Sequence, residues 1–400
     1  MQSVITPSHC RDSTILLSAD PLKNGGEVTS MEIVAVAPED VAEEAVAALP
    51  EEIQPVKVEA ITFEPLQKSK VDNVEITLSE KVSHPESQDI VAKFLDVAVK
   101  PPRVSGATKL KKMLDETDEL IVCPGVYDGV SARVALSCGF SAMYMTGAGT
   151  TASRLGMADL GVAQLHDMRE HAEMIANLEP YGPPLIADMD TGYGGPIMVA
   201  NSVSQYIRAG VAGFHIEDQI QNKRCGHLQG KKVVSAEEFY MRIRAAKCAK
   251  DRLNSDIVLI ARTDANQQHG YDECIRRLKG ARELGADVGL LEGFTSREEA
   301  ENAVKELAPW PLLLNMVENG ATPIITTHEA KAMGFRIMIF SFASIAPAVV
   351  AIRKTFQKIQ TDGVVGTGKD LTPKALFEIC GLKDAMTIDF EAGGEAFATV

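Results

Sequence analysis

From about Ala107 onward, short apolar runs recur, and the stretches between them bring apolar residues back at helical spacing. The runs are Leu120-Ile121-Val122-Cys123, Ala142-Met143-Tyr144-Met145, Pro184-Leu185-Ile186-Ala187, Gly213-Phe214-His215-Ile216, Val258-Leu259-Ile260-Ala261, Gly289-Leu290-Leu291, Leu312-Leu313-Leu314 and Ile337-Met338-Ile339-Phe340. Strand-length runs alternating with helices, eight times over, predict an α/β fold with its parallel sheet closed as a (β/α)8 TIM barrel. Gly139, Gly210, Gly285 and Gly334 stand where helices end before the next run, positions at which a left-handed residue costs little without a Cβ.

Residues 1–103 read differently. They hold 18 Asp/Glu against 9 Lys/Arg, and Phe63 is the one aromatic before Phe94. Too little apolar surface is available there to offset chain entropy, so the pattern predicts a largely disordered, acidic N-terminal extension with short helices at 38–48 and 88–99. An interaction tail is the sharper alternative. The expected division is 1–103 as extension and 104–400 as catalytic barrel with a C-terminal helical segment.

Composition narrows the function. Hydrophobic residues make up 45% and aromatics 5%, which suits an aliphatic parallel core. The net charge of −15, with no Lys/Arg block interleaved with aromatics, argues against nucleic acid, and the lack of an 18-residue apolar run argues against a membrane helix. Seven scattered cysteines without metal or CxxC spacing imply reduced thiols. Arg11 is the sole cation of the first twenty residues, a poor presequence, so a cytoplasmic location is expected, with the mitochondrion as alternative.

Polar residues follow the strands: Thr146-Gly147-Ala148-Gly149, Asp188-Met189-Asp190, Glu217-Asp218, Arg262-Thr263-Asp264, Glu292, Asn315 and Ser341. Barrel active sites form at the C-terminal strand ends, so these groups should meet at one mouth. Asp188 and Asp190 would share a face if both lay on a regular strand, and with Glu217 and Asp159 they make an oxygen-rich site suited to Mg2+, or Mn2+ in its place. The bland alternative is a rim of helix caps and salt bridges. Arg262 could bind a substrate carboxylate bidentately or pair with a rim acid. Thr146, Gly147 and Ala148 resemble an anion nest.

The pentapeptide Lys223-Arg224-Cys225-Gly226-His227 places a thiol among cations, which predicts a lowered pKa and a proton-transfer or nucleophilic role for Cys225. The alternative is a solvated loop with an incidental thiol.

Taken in order, Thr146-Gly147-Ala148, Asp159-Leu160-Gly161, Asp188-Met189-Asp190-Thr191-Gly192-Tyr193-Gly194, Glu217-Asp218-Gln219, Lys223 to His227, Ala261 to Ala265, and Asn315 before Thr322-Pro323 give a chain that resembles the isocitrate lyase and phosphoenolpyruvate mutase superfamily. The resemblance implies a Mg2+ enzyme acting on 2-hydroxy or 2-oxo acids. It implies Asp188 as direct metal ligand, with Asp159, Asp190 and Glu217 acting through water. Thr146, Gly147, Ala148 and Arg262 would grip the substrate, joined by Asn315 and Thr322, while Arg262 and Glu292, which lines the pocket, would count among the catalytic residues. The cysteine loop would be a mobile gate, with Cys225 the general acid and Lys223, Arg224 and His227 positioning it. A homodimer or homotetramer that exchanges a C-terminal helix is also implied.

A cysteine in that loop distinguishes the superfamily's lyases from its phosphonate mutases. The expected reaction is cleavage of a 2-hydroxydicarboxylate, 2-methylisocitrate or a 2-alkylmalate such as 2,3-dimethylmalate, into a 2-oxo acid and a carboxylic acid. Hydrolysis of oxaloacetate in this superfamily is associated with a serine on the loop after the seventh strand. Residues 311–330 contain Thr322, Thr326 and Thr327 but no serine, which counts against it. Phosphonate chemistry and a metabolite-binding pseudoenzyme are the remaining alternatives.

Overall fold

The structure is a computed structural model that describes residues 104–397 and, before them, the backbone of five strands. The chain divides into Met1–Arg103 and Val104–Val400. In the first unit Leu16–Asn24 and Glu27–Val36 pair antiparallel, Ile61–Thr62 runs parallel to the latter, and Ser3–Val4 pairs antiparallel with Thr77–Leu78. The helices expected at 38–48 and 88–99 lie outside the described residues.

The second unit is the barrel. Its strands are β1 Ile121–Val126, β2 Met143–Met145, β3 Leu185–Asp188, β4 Gly213–Glu217, β5 Val258–Thr263, β6 Val288–Leu291, β7 Leu312–Asn315 and β8 Ile337–Phe340. All neighbours pair parallel in chain order, and β8 closes on β1 with Phe340 opposite Pro124. All eight apolar runs read from the sequence are strands, and Gly139, Gly210, Gly285 and Gly334 all have positive φ.

Alternation along each strand sorts side chains into two cores. Leu185, Ala187, Leu259, Ala261, Leu312, Leu314 and Met338 face the surrounding helices, while Ile186, Val258, Ile260, Leu290, Leu313, Ile337 and Ile339 fill the barrel. Burying each large aliphatic side chain stabilises by about 1.5–3 kcal/mol. The helix Gly106–Glu116 adds Leu110 and Leu114 to the inner core at the barrel's N-terminal end. Arg336 caps that helix, donating from Nη1 to Leu114 O and from Nη2 to Met113 O, both at 3.1 Å.

One step of two residues beyond the inner apolar layer decides where function sits. From Ile186, Ile260, Leu290, Leu313 and Ile339 that step arrives at Asp188, Arg262, Glu292, Asn315 and Ser341. The barrel's next inward layer is therefore polar, and it lies at the C-terminal end.

After β8 come the helices Ile345–Asp362, Pro373–Ile379 and Leu382–Glu391, none with a buried residue. Phe356, Phe377, Ile388 and Phe390 are exposed there. Among the described residues, no helix is long and apolar enough to cross a membrane.

Candidate active site

The polar layer lines a cavity of about 310 Å³, counting its open mouth. Thr146, Ala148, Asp159, Asp188, Arg262, Glu292 and Asn315 border it, and Cys225 and His227 cover it. Glu217 is buried beneath Arg262, its neighbour in register across β4 and β5, and Asp190 lies behind Lys223. Thr322 is buried, with no hydrogen-bond partner for its hydroxyl, and does not border the cavity.

Close packing sets Asp188. Thr146 caps the short helix Gly147–Thr150, its hydroxyl accepting from Gly149 N. A Cβ on Gly147 would stand 2.3 Å from Asp188 Oδ2, so only glycine allows the carboxylate there. Asp190 does not continue the strand as expected. It turns to φ 45°, and its N–H donates to Asp188 Oδ1 at 2.9 Å, so the two carboxylates are related by a turn rather than by pleat alternation.

Lys223 is buried between Asp159 (2.7 Å) and Asp190 (2.5 Å). Burial pushes the Asp190 carboxyl up to about 7 against the pull of Lys223. Burial also works on Asp188, but His215, Lys223 and Arg262 override it and hold that carboxyl below its ordinary value. Glu217 is driven well up by burial, more than Arg262 can offset, and neither of its oxygens has a hydrogen-bond partner. Orphaned buried acceptors in an all-oxygen set fit a hard divalent cation, which would satisfy them through coordinated water. Among the described residues no three His, Cys, Asp or Glu side chains converge on one ion-sized position.

One stated alternative is met and one expectation is corrected. Arg262 is not free: Nε and one Nη donate to Asp264 at 2.8 and 3.2 Å, and Nε lies 3.2 Å from Glu217. Asp264, two residues on, turns back onto the guanidinium, while Lys231 balances it at 2.9 Å. The remainder of the guanidinium faces the cavity. Nor is the Cys225 thiol lowered. Burial raises it to about 11, against the pull of Lys223 and of the His227 backbone N–H. Of the two flanking cations, Lys223 is engaged by carboxylates and Arg224 turns outward to Gln229 O at 3.0 Å.

His227 is held at both ring nitrogens. The Ala321 N–H donates to Nδ1 at 3.1 Å, which leaves the proton on Nε2, 3.0 Å from Glu292 Oε1. Burial opposes the charge on Glu292, yet Arg262 and His227 draw it well below the usual carboxylate range. Asn315 Nδ2 donates to the same carboxylate at 3.1 and 3.2 Å. The loop's stem is fixed: Arg242 donates to Glu217 O and Gln219 O, and Arg277 to Asp218 and Val234 O.

Sequence reasoning missed Tyr144 and His215. Tyr144 borders the cavity, its OH 2.8 Å from His215 Nε2, with Asp188 Oδ1 3.6 Å from the other ring nitrogen. The available signal was one polar ring within each of two otherwise apolar runs.

Residues 110–360 match the family described as phosphoenolpyruvate phosphomutase. The 2,3-dimethylmalate lyase of Eubacterium barkeri is 39% identical over 256 residues, 64% of this chain and 86% of that protein. Among solved structures, oxaloacetate acetylhydrolase with 3,3-difluorooxalacetate is 69% identical with a TM-score of 0.73, covering 73% of this chain and 99% of the other. A 2,3-dimethylmalate lyase is 59% identical with a TM-score of 0.73, covering 74% and 98%. A phosphonopyruvate hydrolase complexed with oxalate and Mg2+ is 28% identical with a TM-score of 0.63, covering 72% and 98%.

Proposed function

Because the chain belongs to the phosphoenolpyruvate mutase and isocitrate lyase superfamily, a group of lyases and mutases, we propose that it is a Mg2+-dependent carbon–carbon lyase for a 2-hydroxydicarboxylate of the 2-alkylmalate or 2-methylisocitrate type. The observation that carries this reading is the Cys225 thiol, kept protonated by burial and covering the cavity that Asp188 and Arg262 border. As a base near the metal position takes the 2-hydroxyl proton, the O–H pair forms the C=O bond, and cleavage of C2–C3 leaves a 2-oxo acid and a carbanion on the departing carboxylic acid. That carbanion needs a proton, and a buried neutral thiol is a donor already loaded.

Asp188 would hold the metal directly, with Asp159, Asp190 and Glu217 outside its water shell. When bound, Mg2+ or Mn2+ offsets negative charge gathering on the substrate oxygens during bond breaking. Arg262, anchored by Asp264, and the amides at Thr146 to Ala148 orient the carboxylate of the oxo-acid half. Glu292 and Asn315 face the other half. His227 and Lys223 fix the loop so that the thiol meets the departing carbon.

Hydrolysis of oxaloacetate is the second reading, favoured by the 69% identity to oxaloacetate acetylhydrolase. Against it stands the loop after β7, with Thr322 and no serine in residues 311–330. Incubation with Mg2+ and, separately, 2,3-dimethylmalate, 2-methylisocitrate and oxaloacetate, followed by NMR of the products, separates the two. Turnover of a hydroxy acid to a 2-oxo acid and a carboxylic acid is expected. Oxalate and acetate from oxaloacetate, with both hydroxy acids untouched, would overturn the lyase reading.

A further inference from the structure

The cover over the site ends in a continuous hydrogen-bonded clasp. Ser341, just past β8, donates from Oγ to Asn315 Oδ1 at 2.7 Å. With Oδ1 so engaged, Asn315 turns its Nδ2 toward Glu292. Glu292 receives His227 Nε2 at 3.0 Å, and the far ring nitrogen of His227 is taken by the Ala321 amide on the loop after β7. His227 Nε2 and Asn315 Nδ2, 3.4 Å apart, converge on the one Glu292 carboxylate, and the series crosses from β8 through β7 and β6 to the cysteine loop.

Gly320 makes the closed arrangement sterically selective. A Cβ there would stand 2.4 Å from His227 Nδ1, and Gly320 is not a positive-φ residue, so its backbone does not itself demand glycine. The space is reserved for the imidazole. Below the clasp, the stem of the loop is pinned by Ile220 N to Lys232 O, Val234 N to Asp218 O and the Gln219–Val233 bridge. Any opening must therefore take place between Gln221 and Lys231, where it is resisted by Lys223 on Asp159 and Asp190, by the Cys225 N–H on Asp159 O at 3.0 Å, and by His227 on the side of the loop after β7.

We propose that Ser341 and Gly320 are positioning residues for closure: Ser341 sets the asparagine amide that aligns Glu292, and Gly320 leaves room for His227 to seat against the loop after β7. The cysteine loop and the loop after β7 thus close as one unit. This rests on the proposed reading only in taking the cysteine loop as a gate, and its test needs no substrate.

The test is limited trypsinolysis of the full chain, with cleavage at Arg224–Cys225 followed by mass spectrometry. Cleavage there requires the loop to leave its closed position, so its rate reports the open population. Ser341→Ala should raise the rate about five-fold, the effect of one buried hydrogen bond, and Ser341→Thr should restore it. Gly320→Ala should raise it about ten-fold. The same Cβ would press on Val317 O at 2.9 Å, so the comparison is repeated in a His227→Ala background. There Gly320→Ala should add nothing, because the clashing imidazole is gone. Cleavage at Arg252–Leu253 serves as the internal reference and should not change. Rates at Arg224 within two-fold of wild type in both single variants would overturn the proposal. A Gly320→Ala effect undiminished without His227 would equally overturn the seating role of Gly320.

Discussion

Raising pH across the range where thiols ionise is the most direct probe of Cys225. An ordinary thiol here titrates at 9.0, whereas burial moves Cys225 to about 11. The direction follows from desolvation disfavouring the thiolate. At pH 8 the thiolate fraction is about one part in a thousand rather than about one in ten, so alkylation by iodoacetamide should be about 100-fold slower. It should gain about ten-fold per pH unit up to about pH 11. Peptide mapping after timed alkylation resolves Cys225 from the exposed Cys138, Cys248 and Cys380, which serve as references in the same tube. In turnover, a thiol that must be protonated to donate should give kcat/KM no downward limb from Cys225 until about pH 11. Cys225→Ser should lose several orders of magnitude, since an alcohol is a far weaker acid. Alkylation of Cys225 as fast as Cys138 at pH 8, levelling off near pH 9, would refute the burial argument and the proton-donor role built on it.

Asp188→Ala should abolish Mg2+-dependent turnover, and undiminished rates of the wild-type protein in EDTA would remove the metal assignment. Gly147→Ala drives a Cβ into Asp188 and should cut turnover at least 100-fold while overpacking costs about 1–3 kcal/mol of stability; calorimetry beside kinetics checks both. Arg277→Met leaves Asp218 buried without its 3.0 Å partner and should cost about 3–5 kcal/mol, read as a fall of roughly 5–15 °C in Tm. If a second copy of the chain covers the C-terminal helices, Phe377→Glu with Phe390→Glu should lower the mass measured by light scattering to that of one chain.

The barrel was legible because a buried parallel strand needs an unbroken aliphatic run, and nothing distant in sequence is required to see one. The polar ring was nearly as legible: Asp188, Glu292, Asn315 and Ser341 each directly follow such a run. The electrostatics were not. Lys223 looks like a cation beside a thiol until folding brings Asp159, 64 positions earlier, against its ammonium. For Arg262 the choice between substrate and rim acid stayed open, because Asp264 reaches it only when the chain turns after β5. Tyr144 and His215 were hidden by their own strands, where a lone ring reads as core. In each case a charge or ring acquired its meaning from a partner on another element.

Residues 190–194 hold a further consequence. Asp190 at φ 45° and Tyr193 at φ 64° take up a left-handed backbone that side chains disfavour, flanked by Gly192 and Gly194, and Asp190 does so while buried. Each such residue costs on the order of 1–3 kcal/mol. Relief of that strain by Asp190→Gly would strip the buried Lys223 ammonium of its 2.5 Å partner and leave it on Asp159 alone, so the strained backbone and the ion pair it serves are bound to one residue and cannot be improved separately.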